Sequence, residues 1–230
     1  MKRRREMFPN IMTVDNPKTL KSQKHKFYTI GLSLSPADSS GRSVCPPKTC
    51  LFCKDMCLDS AGRGIFPKTR EARVRRTNLF FDNPQEFWRC IRKDIETAEN
   101  KTDMTLCVRM NLLSDLPWER IKVSGTRSSI MEMYPDVQFY DYTKVPGRKT
   151  PGNYHLTFSL SENNDRHAME EVWNHKRNLA VVMNRRPRKF YGIPTVDGDS
   201  HDLTFLRPWP RILALTPKGK MKGDTTGFVR

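Results

Sequence analysis

The sequence of 230 residues lacks the signatures of several large protein classes. It has no apolar run near the ~18 residues that a membrane-spanning helix needs, and the basic start at residues 1–5 is not followed by the apolar segment of a secretory signal. No GxGxxG or GxxxxGKS phosphate loop, GxSxG elbow or HExxH zinc motif occurs. These absences argue against membrane-spanning, secreted and common nucleotide-binding or hydrolase classes. We expect a cytoplasmic protein.

Acidic residues are scarce relative to basic ones. The chain has 41 Lys and Arg but 25 Asp and Glu, a formal net charge of +16, and +11 of that charge precedes residue 77. Such a field attracts polyanions, so we expect a nucleic acid or another polyanion as partner. The alternatives are a solvated basic tail and, least favoured, an anionic membrane surface. The candidate contacts are Arg3, Arg4, Arg5, Arg70, Arg73 and Arg76.

Cysteines are few outside one short run. Four of the six, Cys45, Cys50, Cys53 and Cys57, form C-x4-C-x2-C-x3-C. Thiolates this close can all ligate one inorganic centre, and disulfides are rare in the cytoplasm. We expect a [4Fe–4S] cluster. Zinc is the alternative, although its structural sites usually combine two separated C-x2-C knuckles and only one is present. Unliganded structural thiols are the third interpretation.

The cysteine spacing also bears on the reaction class. Radical S-adenosylmethionine enzymes place a C-x3-C-x2-C loop after the first barrel strand and leave one iron open. Here the gaps differ and a fourth cysteine is present. If all four cysteines bind, no iron is open to S-adenosylmethionine; if Cys45 or Cys57 is not a ligand, that chemistry is available again. Redox or radical-like catalysis is therefore one hypothesis, and a cluster without catalysis is the other.

Hydrophobic periodicity predicts an α/β fold. Predicted strands cover 27–34, 104–110, 137–142, 154–160, 179–183 and 212–215, and predicted helices cover 67–81, a segment starting at 83, 128–133 and 164–175. The alternation favours a parallel sheet, and we expect an incomplete (β/α) barrel-like single domain over 27–230. Its cysteine-rich metal loop at 45–57 follows the first strand, and residues 1–26 form a basic N-terminal arm.

Polar residues recur where predicted strands end. Because parallel strands deliver their carboxyl ends to one face, these residues are candidates for a shared pocket. The candidates are Arg109, Asn111, Asp115, Asp141, Lys144, Asp199 and His201. The run from Asp197 to Asp202 has the groups for a divalent cation or for acid–base catalysis, but a Gly/Asp turn is the commoner explanation of such a run.

The combined pattern resembles the bacteriophage gene product 88 family. The resemblance rests on blocks spread from about residue 16 to the C-terminus, including the cysteine loop, 73–77, 109–115, 138–144, 153–159, 197–202 and 227–229. It implies a phage origin and a host-cytoplasm setting, but no activity. The alternative function is a zinc- or cluster-stabilised module that binds nucleic acid or a host protein.

Overall fold

The computed structural model describes residues 10–14, 17–45 and 52–230, with the side chains of residues 17 and 18 left out. The chain forms a nine-stranded sheet in the order β1-β2-β3-β4-β5-β6-β9-β8-β7. The strands are β1 Met12–Thr13, β2 Phe27–Leu32, β3 Thr105–Arg109, β4 Gln138–Thr143, β5 Tyr154–Ser159, β6 Leu179–Val182, β7 Lys189–Phe190, β8 Ile193–Asp197 and β9 Ile212–Leu215.

The sheet is mostly parallel, which confirms the α/β prediction. The seven strands from β2 to β8 in the spatial order are parallel to their neighbours, whereas β1 and β7 pair antiparallel at the two edges. Strands β2 to β6 follow one another in space as they do in sequence, unlike the reversed order of a doubly wound sheet. Over the described residues, no ladder joins β1 to β7.

The helices begin where the sequence provides their starting signals. They are α1 Pro17–Leu20, α2 Pro67–Asp82, α3 Pro84–Glu99, α4 Ile130–Met133 and α5 Asp165–Trp173. Proline opens both long helices, where its missing N–H costs nothing. The Asn83 side chain accepts from Glu86 N at 3.1 Å, and Ser129 and Glu132 form a capping box at α4. Short 3₁₀ helices cover Lys21–His25, Leu58–Ser60, Gly62–Ile65, Thr204–Leu206 and Gly219–Gly223.

One face of the sheet is apolar and covered by helices. Because side chains alternate along a strand, Ile30, Val108, Phe139 and Leu156 share this face and pack in one buried cluster with α3. A second buried cluster joins α5 to β5, β6 and β9. The apolar face therefore fixes the sheet and leaves polar chemistry to the other face and to the strand ends.

The opposite face is polar and is covered by an irregular segment. Its buried side chains include Thr29, Arg109, Tyr140 and Thr157. The connection from β8 to β9 runs across it, and the 3₁₀ helix Thr204–Leu206 packs against β4 and β5. This cover is built from residues that have no hydrophobic period, so it could not be predicted from the sequence.

Packing extends into the segment predicted to be a basic arm. Ile11 and Met12 are buried, and their backbone N–H groups donate to Asp94 Oδ2 at 2.7 and 2.8 Å. Thr19 and Ser22 are buried as well. The contacts of the domain therefore begin by residue 11 rather than at residue 27, because an edge strand and a 3₁₀ helix complete the β2 side of the sheet. Arg3, Arg4 and Arg5 lie outside the described residues.

Candidate metal centre and strand-end network

The described parts of the cysteine loop lie over the carboxyl edge of the sheet. Beyond β3, Asp115 N donates to Val44 O at 3.1 Å. Beyond β5, Glu162 accepts from Phe52 N at 3.4 Å. The 3₁₀ helix Leu58–Ser60 contacts the one at Gly219–Gly223, which follows β9. One loop thus touches the ends of three strands, where parallel α/β folds carry their sites.

Three of the four clustered thiols can be located. Cys45, Cys53 and Cys57 are half-buried, and Cys50 lies outside the described residues. The thiols are close enough that a negative charge on Cys53 raises the pKa of both Cys45 and Cys57. The larger cause is burial, which raises the pKa of Cys57 to about 12. Within the described ranges, no three His, Cys, Asp or Glu side chains are arranged to hold a metal ion.

Positive groups lie near these thiols. Lys144 lowers the pKa of Cys45, opposing burial. Arg73, only 8% exposed, interacts electrostatically with Cys57 and Asp59, and its Nη1 donates to Gly64 O at 3.3 Å. Its Nε is buried without a hydrogen-bond partner in the described structure. A buried arginine that lies near sulfur and has an N–H group without an acceptor is favourable next to a negatively charged metal centre.

Arg109 organises the first half of the strand-end network. Its Nη1 donates to Asp202 Oδ2 in a close ion pair, and its Nε lies 3.6 Å from Asp141 Oδ1. Tyr142 OH donates to Asp202 Oδ1 at 3.1 Å, and the Arg109 guanidinium lies 5.5 Å from the centre of the Tyr140 ring. Burial raises the pKa of Asp141 to about 6, although Arg109 and hydrogen-bond donors oppose that shift.

Arg148 organises the second half. It pairs with Asp115 at 3.1 Å and with Glu119 at 2.5 Å. Asp115 also accepts from Thr143 Oγ1 at 2.8 Å. Tyr154 connects the two halves, because its hydroxyl donates to Asp141 at 3.0 Å and accepts from Arg148 at 3.4 Å. A continuous chain of buried ion pairs and hydrogen bonds therefore joins the carboxyl ends of β3 and β4 to Tyr154, the first residue of β5.

Asn111 holds the loop after β3 in shape. Its Oδ1 accepts from Ser114 Oγ, Leu116 N and Trp118 Nε1 at 2.8, 3.0 and 2.9 Å. This loop carries Asp115, so Asn111 positions the carboxylate that binds Arg148. Lys144, the next candidate, donates to Ser159 Oγ at 3.2 Å, and its backbone N–H donates to Asp115 at 2.8 Å.

Asp199 and His201 lie on the far side of Asp202. Asp199 accepts from Lys218 Nζ at 2.5 Å and from Thr216 N at 2.8 Å. The His201 ring packs edge-on against His25, with centroids 4.5 Å apart, and burial lowers the pKa of His201 to about 4. A cavity of about 20 Å³, enough for one water, lies between them and Lys21.

The structure therefore brings five of the seven pocket candidates together and puts the other two beside Asp202. The five are Arg109, Asn111, Asp115, Asp141 and Lys144. Their closest partners, Arg148, Glu119 and Tyr154, were not among the candidates. Arg148 follows no strand directly and belongs to no motif, so no local signal in the sequence identifies it.

The described polyanion candidates on α2 differ in exposure. Arg70 is exposed, Arg76 is half-buried and Arg73 is buried beneath the cysteine loop. A helix face therefore does not present all three to a partner. No helix in the described part of the chain is long and apolar enough to cross a membrane.

The fold and this edge define the class: a mixed α/β protein whose mostly parallel sheet gathers a cysteine-rich loop and buried ion pairs at its carboxyl edge. The sequence pattern of the Gene product 88 family matches residues 10–230. The chain therefore belongs to that bacteriophage family. No curated protein and no solved structure matches it.

Proposed function

We propose that this phage protein binds a [4Fe–4S] cluster through Cys45, Cys50, Cys53 and Cys57. The observation that carries the proposal is that, besides burial, the Cys53 thiolate raises the pKa of both Cys45 and Cys57, and Cys45 raises the pKa of Cys57, so the three sulfurs are close enough to interact electrostatically. Cys50 lies within the same thirteen-residue run. When bound, such a cluster supplies one-electron transfer.

The surroundings of the thiols support the ligand assignment. Burial keeps Cys45 and Cys57 protonated as thiols, so their thiolates need a positive centre to form. Arg73 and Lys144 add positive charge next to them. A four-thiolate cubane carries net negative charge, and neighbouring cations stabilise its reduced form.

A barrel-like curvature of the sheet is part of the proposal. Lys21 Nζ donates to Asp199 O at 2.6 Å, and His25 packs on His201. These contacts join the segment before β2 to the segment after β8, which belong to opposite ends of the strand order. A sheet that curls as in an incomplete (β/α) barrel would bring these two segments together, so the contacts support this part of the proposal.

The ion network has a supporting role in this proposal. Asp115 and Lys144 both influence the pKa of Cys45, so the network adjoins the thiols. Its charged groups are engaged with one another, which suits a rigid platform for the cysteine loop. A redox role without a bound organic substrate fits this arrangement, and radical-like chemistry requires one of the four cysteines to leave its iron open.

The alternative function is a zinc- or cluster-stabilised module that binds nucleic acid or a host protein without catalysis. The net charge of +16 favours a polyanionic partner. The same internally paired network also favours this alternative, because it offers few unengaged groups for catalysis.

Absorbance spectra of protein purified with and without oxygen test the proposal. A cluster predicts a brown anaerobic protein with a broad band around 400 nm that bleaches in air or with an iron chelator. A colourless protein that keeps its fold under both conditions contradicts it. Zinc in that protein would support the alternative metal.

A further inference from the structure

The hairpin that ends the sheet carries the densest group of exposed cations on the described surface that lacks internal partners. Arg185, Arg186, Arg188 and Lys189 are all exposed and lie within five residues. None of these four side chains hydrogen-bonds or pairs with another described residue. By contrast, Arg177 pairs with the buried Glu171. Charge left unpaired in this way is available to a partner.

These cations border a groove. A concave space of about 510 Å³ is lined by Arg186, Pro187, Arg188, Thr195, Val196 and Asp197. Asp197 is the one carboxylate in this lining, and its Oδ1 already accepts from Asp199 N at 2.8 Å. The two arginines outnumber it, so the groove has a net positive wall.

The backbone holds the arginines in place. Thr195 N donates to Arg188 O at 3.1 Å, and the Thr195 hydroxyl donates to Pro187 O. Pro187 also restricts Arg186 to extended backbone. Residues two apart on extended chain are separated by roughly 6.6 Å, about twice the axial spacing of roughly 3.4 Å between successive phosphates of one DNA strand. The segment is thus fixed before any partner arrives.

We infer that this hairpin and groove, residues 185–197, bind the phosphodiester backbone of nucleic acid without regard to sequence. Arginine suits phosphate because its planar guanidinium donates two parallel hydrogen bonds. The overall charge of +16 steers a polyanion toward the surface. The inference concerns a part of the molecule separate from the cysteines and holds whichever metal they bind.

Edge protection is the competing explanation. Charged residues and proline on an edge strand discourage pairing with other sheets, and β7 is an edge strand. That role needs the charges but predicts no affinity for nucleic acid. An anionic lipid surface is a second competitor and is distinguished in the test.

The test compares two variants of the full chain that each lose three positive charges. The first is R185Q/R186Q/R188Q in the hairpin, and the matched control is K68Q/R70Q/R75Q on exposed positions of α2. Circular dichroism checks that both are folded. Fluorescence anisotropy then measures binding to labelled single-stranded DNA, duplex DNA and RNA of one sequence, from about 50 to 200 mM salt.

We expect the hairpin variant to bind at least tenfold more weakly at low salt, with a salt slope smaller by about 2, and the α2 control to change less than twofold. Equal losses in both variants overturn the inference, since they indicate diffuse charge. Absence of nucleic-acid binding by the parent protein also overturns the inference and leaves edge protection as the explanation of the charges. Binding to anionic vesicles in preference to all three nucleic acids overturns it as well.

Discussion

The ion network and the cysteine loop occupy the same edge of the sheet, yet they differ in how their polar groups are satisfied. In the network, Arg109 faces Asp202 and Asp141, and Arg148 faces Asp115 and Glu119. In the loop, three half-buried thiols lie near one another and near cations, and burial raises the pKa of Cys45 and Cys57. In the network, charged residues that are distant in sequence thus pair with one another. For the contiguous cysteines we propose that the partner is an added metal centre.

The largest effect is expected from the cysteines. Replacing any one of the clustered four by serine removes a ligand, and we predict at least about a tenfold loss of bound iron and sulfide, because even outer-shell changes can cost that much. Iron and sulfide assays of the C45S, C50S, C53S and C57S proteins measure it. The matched controls are C90S and C107S, both buried away from the loop, which should keep the metal. A variant of the four that retains full iron would show that its cysteine is not a ligand.

Breaking the ion network comes next. R109M leaves Asp202 and Asp141 buried beside an apolar side chain, and removing one partner of a buried pair costs about 3–5 kcal/mol. Urea unfolding measures the free energy of unfolding. R70M, at an exposed arginine of α2, serves as control and should cost under about 0.5 kcal/mol. A cost below about 1 kcal/mol for R109M would mean that solvation or protonation, rather than Arg109, stabilises these carboxylates.

Arg73 lies on α2 beside the cysteine loop, so its substitution tests whether the loop holds a charged centre. If it faces the cluster, R73Q removes a positive charge that stabilises the reduced state, and the reduction potential should fall by roughly 60 mV, equivalent to a tenfold change for one electron. Protein-film voltammetry measures this value. R70Q, one turn earlier and exposed, should leave it unchanged. An unchanged potential in R73Q, with the cluster still bound, limits Arg73 to its contact with Gly64.

The smallest effect concerns His155, which faces the polar side of the sheet. Burial lowers its pKa to about 4, so the unfolded chain binds its proton more readily than the folded one below pH 6.5. Wild-type stability relative to H155Q should therefore fall by about 1 kcal/mol per pH unit as pH drops from 6.5 toward 4. Asp141, with its raised pKa, acts in the opposite direction between about pH 4 and 6 but is present in both proteins. Parallel unfolding curves across this range would mean that the folded protein protonates His155 normally.

The regular elements were largely predictable from the sequence. The predicted strand at 212–215 matches β9, and the helix start at Asn83 is the observed cap. Such features depend on periodicity and capping, which are local. Strands β1, β7 and β8 were not predicted, because two-residue edge strands and a proline-containing strand carry no alternating pattern.

The candidate site was predictable only in part. The cysteine spacing is local, and strand ends are where parallel sheets gather polar groups, so Arg109, Asp115 and Asp141 could be named. Their partners could not be named, because Arg148 and Glu119 form an ion pair only when the loop after β4 packs against the loop after β3. The burial of Arg73 could not be predicted either, because a charged residue on a helix is ordinarily solvated.

Metal and sulfide analysis of the anaerobically purified full chain tests the central claim most directly. The account predicts about four iron and about four acid-labile sulfide per chain, with little zinc, as a four-thiolate cubane requires. One zinc per chain without sulfide would contradict the cluster and assign the cysteines to a structural zinc site.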